Sequence, residues 1–219
     1  NPEYLSWLHE TDALDAIKSR ERMLGELRRW VNTVKSPDAK LAILRRFKRR
    51  ETLRIGVRDL VRGALVDDVT REMAYVADAT FEVALRVVRD QLVERHGVPR
   101  AADGSESTYA VIGMGKLGGE ELNFSSDVDA LCVYSDEGAT GDGTDNRRFY
   151  QRLTERLTDA MSRLTQDGYV FRVDLRLRPQ GNPDGWTQVV GVVGNSKVSS
   201  LDEGPTPMLF YPVRQGPAS

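Results

Sequence analysis

The chain has 219 residues, of which 40% are apolar, 29% charged and 7% aromatic, with a formal net charge of −2; this is room for one or two domains with a real core, and excludes disordered or fibrous classes. Cys132 is the single cysteine and the two histidines, His9 and His96, lie far apart, which excludes an internal disulfide and a thiolate zinc site and argues against histidine-based catalysis. No stretch approaches 18 consecutive apolar residues and no charged-then-apolar leader opens the chain, so the expectation is a cytoplasmic protein with no membrane contact.

The charge is unevenly spread. Residues 1–100 carry 20 Lys and Arg against 16 Asp and Glu, net +4, whereas residues 101–219 carry 11 against 17, net −6. The first half reads as helical, with no alternating strand pattern and no proline between Pro37 and Pro99. After Ser36-Pro37, Leu41, Leu44 and Phe47 recur every three residues, with Arg45, Arg46, Lys48, Arg49 and Arg50 expected on the remaining surface. That basic run is expected to be a solvated face or an intramolecular contact, not a nucleic-acid stripe, because no aromatic residues interleave with it. Val69, Met73, Val76, Phe81, Leu85, Val88 and Leu92 then recur at steps of three and four, an amphipathic helix expected to end near Gly97 and Pro99.

Residues 101–108 are small and polar and are expected to link two parts. Apolar runs at Tyr109 to Met114, Val128 to Tyr134 and Val170 to Leu177 read as strands. A Gly- and Asp-rich surface loop, Asp136 to Asp145, separates the second strand from a helix carrying Phe149, Leu153, Leu157, Ala160, Met161 and Leu164 on one face. The expected architecture is α+β: a helical region over 1–100, a small mixed-sheet domain over 101–186, and an atypical tail over 187–219, with a candidate strand at 189–193 and otherwise no sustained period, as in disordered segments. The start at Asn1 rather than Met suggests a piece of a longer product.

The chemistry concentrates in Gly113-Met114-Gly115-Lys116-Leu117-Gly118-Gly119, followed by Glu121-Leu122-Asn123-Phe124-Ser125-Ser126-Asp127-Val128-Asp129. Side chains alternate along a strand, so Asp127 and Asp129 are expected to point the same way with Cα atoms about 6.6 Å apart. In Val170 to Arg178 the alternation places Phe171, Val173, Leu175 and Leu177 on the core side and Arg172, Asp174, Arg176 and Arg178 outward. Set beside the first strand, this third strand would add Asp174 to the other two carboxylates.

Three carboxylates within 5 Å repel by about 3 kcal/mol per pair at an effective dielectric near 20, which calls for a compensating charge. A divalent cation such as Mg²⁺ takes oxygen ligands, and a pair of ions can hold the attacking and leaving oxygens of a phosphoryl displacement. The glycines allow close backbone approach to a phosphate, with Lys116 beside it. Singly, each element has a plainer reading: a turn, a solvated Asp pair, a surface ion-pair ladder of small energetic weight. In this order, they form the pattern of a nucleotidyltransferase.

Those residues resemble the glutamine synthetase adenylyltransferase family. The likeness rests on Gly-Met-Gly-Lys-Leu-Gly-Gly at 113–119, Glu-Leu-Asn-Phe-Ser-Ser-Asp-Val-Asp at 121–129, Thr-Gln-Asp-Gly at 165–168, Arg-Val-Asp-Leu-Arg-Leu-Arg-Pro at 172–179 and the upstream Leu44 to Glu51 run, and covers roughly 40 to 182. The resemblance implies one of two related nucleotidyltransferase domains, of which one attaches AMP to a tyrosine of glutamine synthetase and the other removes it with inorganic phosphate to give ADP. The motifs look more similar to the N-terminal, adenylyl-removing copy. By resemblance Asp127, Asp129 and Asp174 are the catalytic and metal-binding carboxylates. Gly115, Lys116, Gly118, Gly119 and Ser126 form the phosphate-facing set, with Mg²⁺ or Mn²⁺ as metal, ATP or ADP and phosphate as substrates or products, and a PII-type signalling protein as a further partner. Arg176 or Arg178 is expected to hold the attacking phosphate, since a guanidinium matches it bidentately. Forward adenylylation from ATP and a catalytically incomplete regulatory or binding fragment are the alternative readings. Beyond Arg178-Pro179-Gln180-Gly181 the sequence leaves the family pattern at Asn182-Pro183-Asp184-Gly185-Trp186.

Overall fold

The computed structural model describes position 14, residues 17–177 and the short segment 208–210, with backbone alone at 174–177 and 208–210. Three helices come first: α1 (Arg20–Val31), α2 (Pro37–Arg62) and α3 (Val66–His96). The starts of α1 and α2 follow capping chemistry in the sequence. The Ser19 hydroxyl accepts a hydrogen bond from the Arg22 amide, and Ser36 plays the same part for Ala39, with Pro37 in the first turn where its missing N–H costs nothing. Helix α3 is the central beam, buried over most of its circumference by α1, α2 and a later helix.

Helix α2 departs from the expectation that its basic run lies on the surface. Arg45 and Arg50 are buried, as are Arg54 and Arg58 one and two turns on. Lys18 donates to Glu26 of α1 at 2.7 Å and to Glu51 of α2 at 3.0 Å; Arg50 pairs with Glu51 at 2.9 Å and Arg54 with Glu51 at 2.7 Å. Arg54 and Arg58 both pair with Glu72 of α3, whose other contact is the Lys18 amide at 2.9 Å. Glu51, Arg54 and Glu72 are fully shielded from solvent. Charges this deep persist only when paired and hydrogen-bonded. The sequence period alone does not reveal this, because a buried charged stripe and a solvated one have the same spacing.

The remaining basic residues of α2 brace a turn. Arg45 donates to the Ala160 carbonyl at 3.4 Å, Arg46 lies 3.4 Å from the Asp167 carboxylate and Arg49 bonds the Asp167 carbonyl. The Lys48 ammonium lies over the rings of Tyr169 and Phe171. The run is thus an intramolecular contact.

The β part follows: β1 (Arg100–Ala101), β2 (Tyr109–Gly113), the one-turn helix α4 (Gly115–Gly118), β3 (Val128–Tyr134), β4 (Gly138–Ala139), α5 (Asn146–Ser162), β5 (Val173–Leu177) and β6 (Met208–Phe210). The α+β expectation holds. Strands β2 and β3 pair antiparallel, β5 lies parallel to β3, and β6 lies parallel to β2, in the order β5-β3-β2-β6. Strand β6 falls in the tail, where the sequence shows no sustained period; the possible strand at 189–193 and the departure at 182–186 lie outside the described residues.

Several expected boundaries shift. The polar stretch 101–108 is folded: β1 pairs with β4, so the Asp136–Asp145 loop contains a strand, and Ser107 is buried. Gly138 permits that pairing, since a Cβ there would sit 2.0 Å from the Arg100 carbonyl oxygen. The third strand begins at Val173; Val170 and Phe171 instead bond the Met161 carbonyl at the end of α5. Leu164, expected on the apolar face of α5, is 75% exposed because the helix ends at Ser162. His96 closes α3 with Nδ1 2.7 Å from the Asp142 carboxylate and Nε2 3.2 Å from Arg152, tying the β4 loop to the helices.

One core runs through both parts. Tyr109, Val111, Val128, Ala130 and Cys132 form the inner face of the sheet against Phe149, Tyr150, Leu153 and Leu157 of α5, which packs in turn on α3. Among the described residues no helix is long and apolar enough to cross a membrane.

Removing a partner from the buried network leaves uncompensated charge, so Glu72→Ala is expected to lower the unfolding free energy by about 3–5 kcal/mol in urea titration. Burial raises the Glu51 carboxyl, but Arg54, Lys18 and Arg50 outweigh it and hold it below the ordinary carboxylate range. A group depressed in this way contributes stability that is fully present above its unfolded pKa, near 4.5, and is lost as pH falls through the folded value. Melting temperatures of wild type and Glu51→Gln should therefore converge in acid and separate at neutral pH.

Candidate functional site

The turn between β2 and β3 builds the site. The Met114 amide donates to the Asp129 carbonyl at 2.8 Å, extending the ladder past Gly113↔Ala130. The chain then enters α4 at Gly115, whose φ of 52° lies in the left-handed region that favours glycine. An added Cβ at Gly115 would stand 3.5 Å from Oδ2 of Asp129. The Asp129 carboxylate therefore lies against the first glycine of the turn.

Asp129 is exposed, on the opposite face of β3 from buried Val128 and Ala130. Its carboxylate has no hydrogen-bond or ion-pair partner among the described residues. Asp127 precedes the strand and is exposed; its Oδ1 accepts from Arg172 Nε at 2.6 Å, and Arg172 Nη2 reaches the Ser125 carbonyl at 3.4 Å. Both side chains of this pair are more than half exposed, so it is worth about 1 kcal/mol or less and opens readily.

Strand β5 lies beside β3, the second of the expected strands, and not beside β2; the correction brings position 174 directly to the acidic strand, because Asp174 is in register with Asp129. Arg176 is in register with Leu131, and Arg178 lies outside the described residues. Among the described side chains, no three His, Cys, Asp or Glu form a group that could hold a metal ion; Asp127 and Asp129 supply two acidic oxygen donors. Lys116 and Gly119 are exposed, Gly118 is buried, and Ser126 is half-buried with its amide bonded to the Asn123 carbonyl at 3.2 Å.

Sequence reasoning did not single out two neighbours of the turn. Arg172 was placed facing outward, yet it holds Asp127; a charge 45 positions away carries no local signal. Glu120, immediately after the glycines, binds Arg20 at 2.8 Å, 100 residues upstream.

Comparison with known proteins shows the family. Residues 1–188 match the family described as glutamate-ammonia ligase adenylyltransferase. This chain belongs to that family. It is 41% identical over 175 residues to the bifunctional glutamine synthetase adenylyltransferase/adenylyl-removing enzyme of Thioalkalivibrio sulfidiphilus, a match covering 77% of this chain and 18% of the relative. It is 34% identical over 169 residues to the enzyme of the same name from Shewanella loihica, covering 76% of this chain and 18% of the relative. With that from Burkholderia pseudomallei it shares 42% over 151 residues, 67% of this chain and 16% of the relative. The chain thus spans about a fifth of the length of the curated relatives it matches.

Gly115→Ala is expected to cost about 1–2 kcal/mol in chemical denaturation, from the left-handed backbone alone. Gly119→Ala, at φ values open to any residue and with its nearest contact at 3.5 Å, should cost less.

Proposed function

We propose that this chain carries a metal-dependent nucleotidyl-transfer site, and that its reaction is the removal of AMP from adenylylated glutamine synthetase by phosphorolysis. The observation that carries the reading is the meeting of the Asp129 carboxylate with Gly115, with Asp174 in register beside Asp129. The relatives' printed names contain both an adenylyltransferase and an adenylyl-removing activity; the Thr165-Gln166-Asp167-Gly168 and Arg172 to Arg178 motifs favour the removing direction by resemblance.

The donor set fits a hard divalent cation, being carboxylate oxygens without sulfur or imidazole. Asp127, Asp129 and Asp174 would hold Mg²⁺ or Mn²⁺, which when bound neutralises charge on the transferring phosphoryl group. Each residue then has a task. The turn from Gly115 to Gly119 brings backbone close to the incoming phosphate, and exposed Lys116 adds a positive charge beside it. Arg172 keeps Asp127 extended at the mouth of the site until a cation competes for the carboxylate. In the reaction an oxygen of inorganic phosphate bonds to the phosphorus of the tyrosine-linked AMP, the bond from that phosphorus to the tyrosine oxygen breaks, and the released oxygen takes a proton. The products are ADP and unmodified tyrosine. Arg176 and Arg178 are the proposed phosphate-holding guanidiniums, and glutamine synthetase is the partner this chemistry requires.

Incubating the chain with adenylylated glutamine synthetase, phosphate and Mg²⁺ should release ADP, and Asp129→Asn should lower the rate at least about 100-fold, as expected when transition-state charge loses its compensation. Circular dichroism of the variant should be unchanged, since Asp129 is exposed. Label transfer from ATP to unmodified glutamine synthetase, without ADP release in the reverse assay, would replace this reading with the forward one.

A further inference from the structure

Glu120 is the one non-glycine residue with positive φ among the described residues, at 58°. A residue with a β-carbon pays about 1–2 kcal/mol for this conformation, so surrounding contacts must hold it there. The backbone holds it from one side: its amide bonds the Leu117 carbonyl at 3.1 Å, and the next amide, Glu121, bonds the Lys116 carbonyl at 2.7 Å, closing α4. Its side chain is held from the other. Oε1 accepts from Arg20 of α1 at 2.8 Å, and Oε2 lies 3.7 Å from Arg71 of α3.

Arg20 is itself set in place. Its guanidinium lies 5.1 Å from the centroid of the Tyr75 ring and 3.2 Å from Oδ2 of Asp78, both on α3. Asp78 is buried, and neither of its carboxylate oxygens has a hydrogen-bond partner. A buried carboxylate without hydrogen bonds leaves Arg20 as its main compensation. Burial holds the Asp78 carboxyl well above the ordinary carboxylate range, with Arg20 as the opposing influence, and the contacts with Asp78 and Tyr75 together direct Arg20 toward Glu120. The chain of contacts runs from the helical part, through Asp78 and Arg20, to the residue that ends the glycine turn, whose other end touches Asp129.

We propose that Glu120 is a positioning residue: gripped by Arg20 and Arg71, it holds the 115–119 turn against the helices and so sets how tightly that turn takes a phosphate. The assignment rests on the site reading above, and its test uses two readouts so that the two can fail separately. ADP affinity is measured by calorimetry in Mg²⁺, and kcat and KM for inorganic phosphate are measured from ADP release, for wild type, Glu120→Gln, Arg20→Met, the double variant and Glu120→Asp. Both residues of the pair are about one-third exposed, so losing the grip should weaken ADP binding and raise the phosphate KM by about two- to fivefold, with kcat within about twofold. The double variant should lose no more than the larger single loss, because both act through one contact. Glu120→Asp keeps the charge and tolerates left-handed backbone better, and should stay closer to wild type than Glu120→Gln. Unchanged ADP affinity and KM in Glu120→Gln, whatever its melting temperature, would overturn the proposal, as would fully additive losses in the double variant. If wild type binds ADP but releases none, the phosphorolysis reading falls and the calorimetric series alone decides the role of Glu120.

Discussion

The hydrogen bond from the Met114 amide to the Asp129 carbonyl closes the turn between the two antiparallel strands and brings residues 114 and 129 together. Because β2 and β3 pair in register from Tyr109↔Tyr134 to Gly113↔Ala130, the chain has only the segment 114–127 in which to leave one strand and re-enter the other. That return stacks the glycine turn against the acidic residues. Any side chain at Gly115 competes for the space the Asp129 carboxylate uses, and any shift of β3 by one residue would carry Asp129 to the buried face and Val128 to solvent. The apolar inner face of β3, with Val128, Ala130 and Cys132, thereby fixes which acidic residue stands outside.

The sheet could not do this unsupported. A four-stranded sheet with strands of three to seven residues needs a cover for its apolar face, and α5 supplies it, braced by α3. The three N-terminal helices are tied together by charge as well as by apolar packing. Lys18, Glu26, Arg50, Glu51, Arg54, Arg58 and Glu72 bring four positive and three negative groups into a mostly buried cluster. Such a cluster contributes little net stability relative to an apolar core, since desolvation offsets attraction. Its geometric demand is strict, however, and it locks the relative rotation of α1, α2 and α3. Arg20 and Arg71, which meet Glu120, project from helices held by that lock.

The glycine turn and the Asp127-Val128-Asp129 run were legible because both are local signals: glycine marks unusual backbone, and paired carboxylates at period two mark a strand edge. The neighbour of β5, taken as a condition with the first strand in that place, turned out to be β3, since strand order in a sheet is a long-range property and no residue in 170–177 states its partner. The burial of Arg45 and Arg50, expected on the surface of their helix, was illegible for a related reason. Arginine on a helix is usually solvated, and burial became favourable only where partners arrived: Glu26 and Glu51 for Arg50, and the Ala160 carbonyl for Arg45. Leu164 failed in the opposite sense, being apolar and in phase yet beyond the end of its helix.

The amino-acid order determined the long helices, the main strands of the sheet, the glycine-rich turn, the acidic pair and the likeness to the adenylyltransferase family, all of which are set by contacts within a few residues or by contiguous motifs. The fold alone decided that Asp174 stands in register with Asp129, that Arg172 takes Asp127, and that Arg20 reaches Glu120 across 100 positions. These depend on chain segments meeting after collapse, where strand order, burial and the pairing of distant charges are settled by the shape of the whole core and by the cost of leaving any charge inside it unmatched.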